Sequence, residues 1–286
     1  RVPAAGRPHG PGLTAVRLAT ILVGGRPRPA VVRDDDRVVP IDTRATGLPG
    51  IRAIAAGGPA ALERVLAWLD EQPADAGTPL ANVTLGPAVP DPGAIYTVGL
   101  NYDGPGAAPR TERPLIYGKA AGSVAGDGAT LGWDRTVTDD VDAEVELGVV
   151  MGADGAIFGY TCINDISARD ERLDGDQWLL GKSMPGFCPV GPWVVTADAF
   201  DPANVGLRCT IDGEAIQEDR TTQMRHGIAE VIAYLGQHLE LRPGDLIATG
   251  TPVRLATPPG PGRRLRAGDT VTVSIEGIGR LTTTIA

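Results

Sequence analysis

The apolar residues of this chain come in short, strand-length runs closed by glycine, proline or aspartate, and that punctuation limits what the chain can fold into. Val16–Val23, Ala30–Val32 and Val38–Ile41 read as β-strands, as do Ile95–Val98, Val145–Met151, Trp193–Thr196, Leu207–Ile211, Leu246–Thr249 and Thr270–Ile275. With 39 Gly and 25 Pro among 286 residues, little room is left for long helices. Two stretches carry helical periodicity. After Pro59, Leu62, Val65, Leu66 and Leu69 fall at i, i+3, i+4 and i+7. Ile228, Val231, Ile232, Leu235 and Leu239 share a second face, which Arg242-Pro243-Gly244-Asp245 terminates. The pattern predicts an α+β protein that is mostly β. A Pro- and Gly-rich linker, Gly86–Gly93, separates a small N-terminal α/β domain (15–85) from a main body (90–286), and residues 1–14, aperiodic and rich in Pro, Gly and Arg, read as a disordered leader.

Charge and the rarest residues narrow the function. Twenty-six Lys+Arg against thirty-five Asp+Glu give −9, a balance that repels phosphate backbones and anionic membrane surfaces and argues against nucleic-acid or membrane partners. No apolar run approaches the roughly 18 residues of a membrane span, and no export signal is visible. The three His (His9, His226, His238) and three Cys (Cys162, Cys188, Cys209) form no CxxC or HxxxH pattern, which argues against a Cys/His zinc site. An odd number of scattered cysteines fits reduced thiols in the cytoplasm.

The segment Val141-Asp142-Ala143-Glu144-Val145-Glu146-Leu147 places two carboxylates two apart in an apolar strand, where i and i+2 share a face. Like charges that close are costly unless a cation or a shared proton compensates. A solvated face is the plain alternative. Asp165 supplies a third carboxylate within the mostly apolar stretch Phe158–Ile166, and three oxygen ligands plus water suit Mg²⁺ or Mn²⁺, with Ca²⁺ an alternative. Lys182 sits in the loop Gly181-Lys182-Ser183-Met184-Pro185-Gly186, from which an ammonium could hold a developing oxyanion. Gly250-Thr251-Pro252, after the apolar Leu246–Ala248, reads as a strand-end loop whose hydroxyl and backbone N–H could bind a carboxylate.

These motifs join others in a fixed order. Val98-Gly99-Leu100-Asn101-Tyr102 and Tyr117-Gly118-Lys119 precede the acidic strand. Gly159-Tyr160-Thr161, Asn164-Asp165-Ile166-Ser167-Ala168-Arg169-Asp170, Gly181-Lys182-Ser183, Pro189-Val190-Gly191-Pro192-Trp193, Pro243–Pro252 and Gly268-Asp269 follow it. From about Ala94 to the C-terminus the chain thus resembles the fumarylacetoacetate hydrolase family. The resemblance implies a mixed β-sandwich roll preceded by a small N-terminal domain, a homodimer, and Mg²⁺ held by Glu144, Glu146 and Asp165. It implies a 2-oxo or 1,3-dioxo acid as substrate, cleaved, hydrated, decarboxylated or tautomerised through an enolate. By the same likeness Lys182 and Arg169 are the catalytic residues, and Tyr102, Lys119, Thr251 and Gly250 contact substrate; for Lys119 a structural ion pair is an equal alternative.

Departures from the family pattern bear on the reaction. The His and Glu that relatives carry after Asn-Tyr, on a mobile lid, are here Pro105 and Ala108, which transfer no protons. A tyrosine often found before the first glutamate is Ala143, which enlarges the pocket, and Gly152–Phe158 is a trimmed connection. Three readings follow: a metal-dependent C–C hydrolase or lyase first, a decarboxylase, tautomerase or isomerase second, and a non-catalytic ligand-binding protein third. No histidine is expected to act as general base, which leaves metal-bound water, Lys182, or the flanking Asp103 or Glu112 to move protons.

Overall fold

A computed structural model describes residues 16–170, 177–255 and 263–286; the expected leader and His9 lie outside them. In chain order the strands are β1 (Arg17–Val23), β2 (Arg26–Val32), β3 (Arg37–Pro40), β4 (Thr78–Pro79), β5 (Ile95–Gly99) and β6 (Leu115–Lys119). There follow β7 (Val124–Ala125), β8 (Ala129–Leu131), β9 (Val141–Asp142), β10 (Val145–Met151), β11 (Ile157–Asn164) and β12 (Ser167–Ala168). The last are β13 (Cys188–Thr196), β14 (Gly206–Ile211), β15 (Glu214–Arg220), β16 (Leu246–Ala248), β17 (Thr270–Ile275) and β18 (Gly279–Ile285). The protein is mostly β, in line with the sequence pattern.

The large sheet runs β4-β3-β2-β1-β13-β11-β10-β16-β5-β6, with β7 beside β13; the second runs β15-β14-β17-β18-β8. Strands β10, β11 and β13 pack against β14, β17 and β18. On the other face of the large sheet, Ile51, Ile54 and Val65 of the helix Ile51–Asp70 join Leu18, Val31, Val150, Ile163 and Val190 in one apolar cluster. Covered on both faces, β10 and β13 are buried at every position, which is why they read as continuous apolar runs. In β17 burial alternates instead, with Val271, Val273 and Ile275 inward and Thr270, Thr272 and Ser274 half-buried, the pattern of a sheet with one wet face. Residues 16–85 supply β1–β4, joined to the rest of the sheet where Arg17 pairs with Val195.

The first of the two helices expected from periodicity starts at Ile51, ahead of the expected Pro59, and a one-turn helix, Thr43–Thr46, precedes it. Gly57-Gly58-Pro59 reads as a stop, yet Gly58 only kinks the helix through one left-handed residue (φ 56°). The second helix, Ile228–Gly236, ends before the expected Leu239, which is exposed. A short helix, Trp178–Lys182, was not expected. No helix among the described residues is long and apolar enough to cross a membrane. The three cysteines are buried and unpaired.

Register places the site. Antiparallel pairing of Val145 with Asn164 brings the entry to β10 beside the exit from β11. Because β16 runs antiparallel to β10 and parallel to β5, the loops leaving β16 and β5 emerge at that same end.

Gly159 tests how tightly this frame is packed. A Cβ there would lie 2.4 Å from the Val195 carbonyl oxygen, whereas one at Gly122 meets nothing within 4 Å. Gly159→Ala is expected to lower stability in urea unfolding by about 2 kcal/mol or more, and Gly122→Ala to stay within about 0.5 kcal/mol.

Candidate active site and metal centre

Glu144, Glu146 and Asp165 converge at the end of β10 and β11, each offering an oxygen, with these atoms all within 4.8 Å of one another. Backbone bonds set their positions. The Glu144 N–H donates to Asn164 Oδ1 (3.2 Å) and the Asp165 N–H to the Glu144 carbonyl (2.9 Å). Glu144 precedes the first residue of β10, and Glu146 lies inside the strand, fully buried, with Oε2 accepting the Gly250 N–H at 2.6 Å.

The charges around the three carboxylates are unequal. Lys182 Nζ donates to Asp165 Oδ2 (2.6 Å) and Ser167 Oγ (2.9 Å) and lies 3.8 Å from Glu144 Oε2. Lys119 Nζ donates to the other Asp165 oxygen and to the Ile166 carbonyl. Burial alone would raise the Asp165 carboxyl, but the two ammonium groups outweigh it and hold it well below the usual carboxylate range. Lys182 is correspondingly held in its charged form by Asp165 and Glu144 against the cost of burial. Arg169 clamps Glu144 and Asp142, and Asp142 also pairs with Arg254 (2.8 Å) and Arg264 (3.4 Å). Glu146 stands apart: burial first, then the charges of Asp165 and Glu144, push its carboxyl well above the ordinary range.

That imbalance tests the fit of a metal. Hard divalent cations take oxygen ligands at about 2.0–2.6 Å, so one ion can join oxygens up to roughly 4–5 Å apart. The three carboxylates meet that spacing, and among the described residues no cationic side chain is bonded to Glu146 to neutralise a buried charge. The donor set fits a hard divalent cation held by Glu144, Glu146 and Asp165.

Above the carboxylates lies a cavity of about 340 Å³. Of the residues singled out by sequence, Glu144, Glu146, Asp165, Lys182, Arg169, Tyr102 and Thr251 line it. Lys119 and Gly250 are not in its wall: Lys119 is buried behind Asp165, and Gly250 supports Glu146 through its N–H. Thr251 Oγ1 donates to the Val145 carbonyl and accepts from Gln217, while the buried Tyr102 hydroxyl has no partner among the described residues.

Three wall residues carry no sequence signal. Gln217 is fully buried and accepts from the Val145 N–H while donating to Thr251 Oγ1 and the Pro252 carbonyl. Trp178 stacks on Tyr117 with ring centroids 4.7 Å apart. Arg225 grips the loop after β5. That loop contributes Leu100, Tyr102, Gly106, Ala107 and Ala108 to the wall, of which only Tyr102 carries a transferable side-chain proton, and burial pushes its phenol far above the ordinary range. No described histidine lines the cavity: His226 is buried with Nδ1 2.8 Å from Glu230, and His238 packs edge-on to Tyr234. Asp103 pairs with Arg225, and Glu112 is exposed.

Sequence comparison agrees with this geometry. The profile described as "Fumarylacetoacetate (FAA) hydrolase C-terminal" matches residues 94–286. The chain belongs to the fumarylacetoacetate hydrolase family. Among solved structures it is similar to a fumarylacetoacetate hydrolase from the psychrophile Exiguobacterium antarcticum (TM-score 0.80, 28% identity, covering 94% of this chain and 99% of that one). It is similar to a maleylpyruvate hydrolase from Sphingobium sp. SYK-6 in complex with manganese(II) ion and pyruvate (0.75, 28%, 94% and 98%). A third is a 2-hydroxyhepta-2,4-diene-1,7-dioate isomerase from Mycobacterium marinum (0.70, 29%, 95% and 98%). This family member therefore has hydrolases and an isomerase as structural neighbours.

The ion pair behind the wall gives a test. Lys119→Met leaves Asp165 buried with one ammonium fewer and should lower stability in urea unfolding by about 3 kcal/mol, the low end for a broken buried pair. A change under about 1 kcal/mol would show that Lys182 alone holds the carboxylate.

Proposed function

We propose that this family member is a divalent-metal-dependent enzyme that acts on a 2-oxo or 1,3-dioxo acid by tautomerisation, isomerisation or decarboxylation through an enolate. The observation that carries the proposal is the carboxylate triad on the cavity floor with the Lys182 ammonium among its oxygens. A bound divalent cation supplies Lewis-acid stabilisation of negative charge at a substrate oxygen. Lys182, held charged, places a second positive centre beside the floor, where it stabilises charge that grows in the transition state. Arg169 fixes Glu144 from the side and keeps it from turning away from the other two carboxylates. Glu144, Glu146 and Asp165 would hold the cation, which we take to be Mg²⁺ or Mn²⁺.

The loop that covers the cavity decides the ranking of reactions. Hydrolysis needs a group that activates water, and the loop's wall residues, Leu100, Tyr102, Gly106, Ala107 and Ala108, supply no base, because burial pushes the one ionisable side chain among them, the Tyr102 phenol, far up. Loss of CO₂ from an oxo acid asks mainly for stabilisation of the enolate, which the floor provides, and proton relocation would also draw its proton carrier from the floor. Hydrolytic C–C cleavage is the second reading, supported by the likeness to the maleylpyruvate hydrolase; it would draw its base from the floor. On family grounds we also propose a homodimer in the cytoplasm, and light scattering that gives a concentration-independent monomer would remove the dimer.

Isothermal titration of the chelated protein with Mg²⁺ and Mn²⁺ is expected to show one site, weakened roughly tenfold or more by Glu146→Gln. Equal binding by both proteins would sink the triad. Lys182→Met should cut kcat by about 10²–10³-fold while KM moves less than about threefold. A change confined to KM would make Lys182 a binding residue.

A further inference from the structure

Resting on the oxo-acid reading above, we infer that the arm of the substrate beyond its oxo-acid end is uncharged and apolar, and that Arg225 is the positioning residue that shapes the recess for it.

Outside the floor, much of the wall is hydrocarbon: Val98, Leu100, Ala107, Ala108, Trp178 and Val253. Leu100 is the most telling. It is 53% exposed and holds φ at 54°, a left-handed conformation that a branched apolar side chain adopts only when its surroundings enforce it. The enforcement comes from Arg225, whose side chain is only 4% exposed. Its Nη1 donates to the Leu100 carbonyl (3.1 Å), its Nη2 to the Ala108 carbonyl (2.7 Å) and its Nε to Asp103 Oδ1 (2.8 Å). Backbone bonds continue the seam, from the Arg225 N–H to the Asn101 carbonyl (2.8 Å) and from the Asp103 N–H to the Gln223 carbonyl (3.0 Å). One guanidinium thus fastens both ends of the segment 100–108, and the segment roofs the cavity with Leu100, Ala107 and Ala108.

Three arginines in the wall invite the opposite reading, an acidic arm, and their bonding argues against it: Arg169 is committed to Glu144 and Asp142 at the floor. All three nitrogens of Arg225 are engaged by the roof, and its charge is matched by Asp103. Arg254 gives Nη2 to the Ala143 carbonyl and to Asp142, which matches its charge, and its Nη1 is buried out of reach of solvent without a partner among the described residues. A carboxylate entering this recess would lose its hydration and meet guanidinium groups whose charges Asp103, Asp142 and Glu144 already match. An alkyl arm gains from the same surface by leaving water.

Calorimetry on the Mn²⁺-loaded protein with two six-carbon probes, 2-oxohexanoate and 2-oxoadipate, separates the readings, since they share the oxo-acid end and differ only in a terminal carboxylate. The wild type is expected to bind 2-oxohexanoate about tenfold more tightly or better. In Arg225→Met the ratio should fall below about threefold, and amide hydrogen exchange across residues 100–110 should quicken about tenfold or more. Arg225→Lys, which retains a cation for Asp103, should fall between. Equal or tighter binding of 2-oxoadipate by the wild type overturns the apolar arm, and that result needs no variant to fold. Unchanged exchange and an unchanged ratio in a folded Arg225→Met overturn the role of Arg225. Binding of Mn²⁺ with neither acid bound overturns the oxo-acid reading itself, and this inference with it.

Discussion

Asp165 is a charged carboxylate with almost no access to water, and the site depends on how that charge is met. A lone ion so placed would cost several kcal/mol even after relaxation. Two ammonium groups meet it from different parts of the chain, Lys119 at the end of β6 and Lys182 at the end of the helix Trp178–Lys182. Each lysine takes one oxygen, so the carboxylate can rotate only by breaking a bond. The edge strand, the end of β11 and the short helix are thereby tied to a single point, and Lys182 is fixed where it also approaches Glu144. An ammonium on a flexible four-carbon stem becomes a positioned charge only through such a contact.

Glu146 is as deeply buried and is met differently. Among the described residues its one hydrogen-bond donor is the Gly250 N–H, and the nearest charges include two other carboxylates. Asp165 is fully compensated by side chains and Glu146 is not, although the two share one floor. The protein has placed its fixed cations on one ligand and left the other short of positive charge, an arrangement that a divalent ion between them completes. Because the fixed cations sit behind Asp165, at Lys119, and to one side, at Lys182, the oxygens facing Glu146 and Glu144 stay close enough to share an ion.

The parts legible in the sequence were those whose chemistry is local. Glu144 and Glu146 stand out because two acids interrupt an apolar strand, Asp165 because it breaks another, and Lys182 because glycine and proline bound its loop. Parts that depend on distant pairing were not legible. Lys119 sits 46 residues from its partner Asp165, and nothing near it in the chain distinguishes a wall residue from an ion pair behind the wall. Gln217 faces inward from a strand whose other residues are largely polar, and its three partners come from β10 and the loop after β16. Helix boundaries failed for a different reason: Gly57-Gly58-Pro59 is a strong local stop signal, overridden because Ile51, Ile54 and Ala55 bury against the sheet before the kink and Ala61 and Val65 after it.

The floor and the roof of the cavity are built on different physical footings, and this sets what each can change. The floor rests on the register of β10 with β11 and on buried ion pairs, so a shifted residue there disturbs several bonds together. The roof is fastened through backbone carbonyls: Arg225 binds the oxygens of Leu100 and Ala108, not their side chains. A side chain at position 108 can therefore change without loosening the clasp, provided it fits the cavity. The lack, among the described residues, of a side chain over the floor that could activate water is then a property of the methyl group of Ala108 and the ring of Pro105, and not of the architecture. A roof of this construction can change its side chains while the carboxylate floor beneath it stays constant.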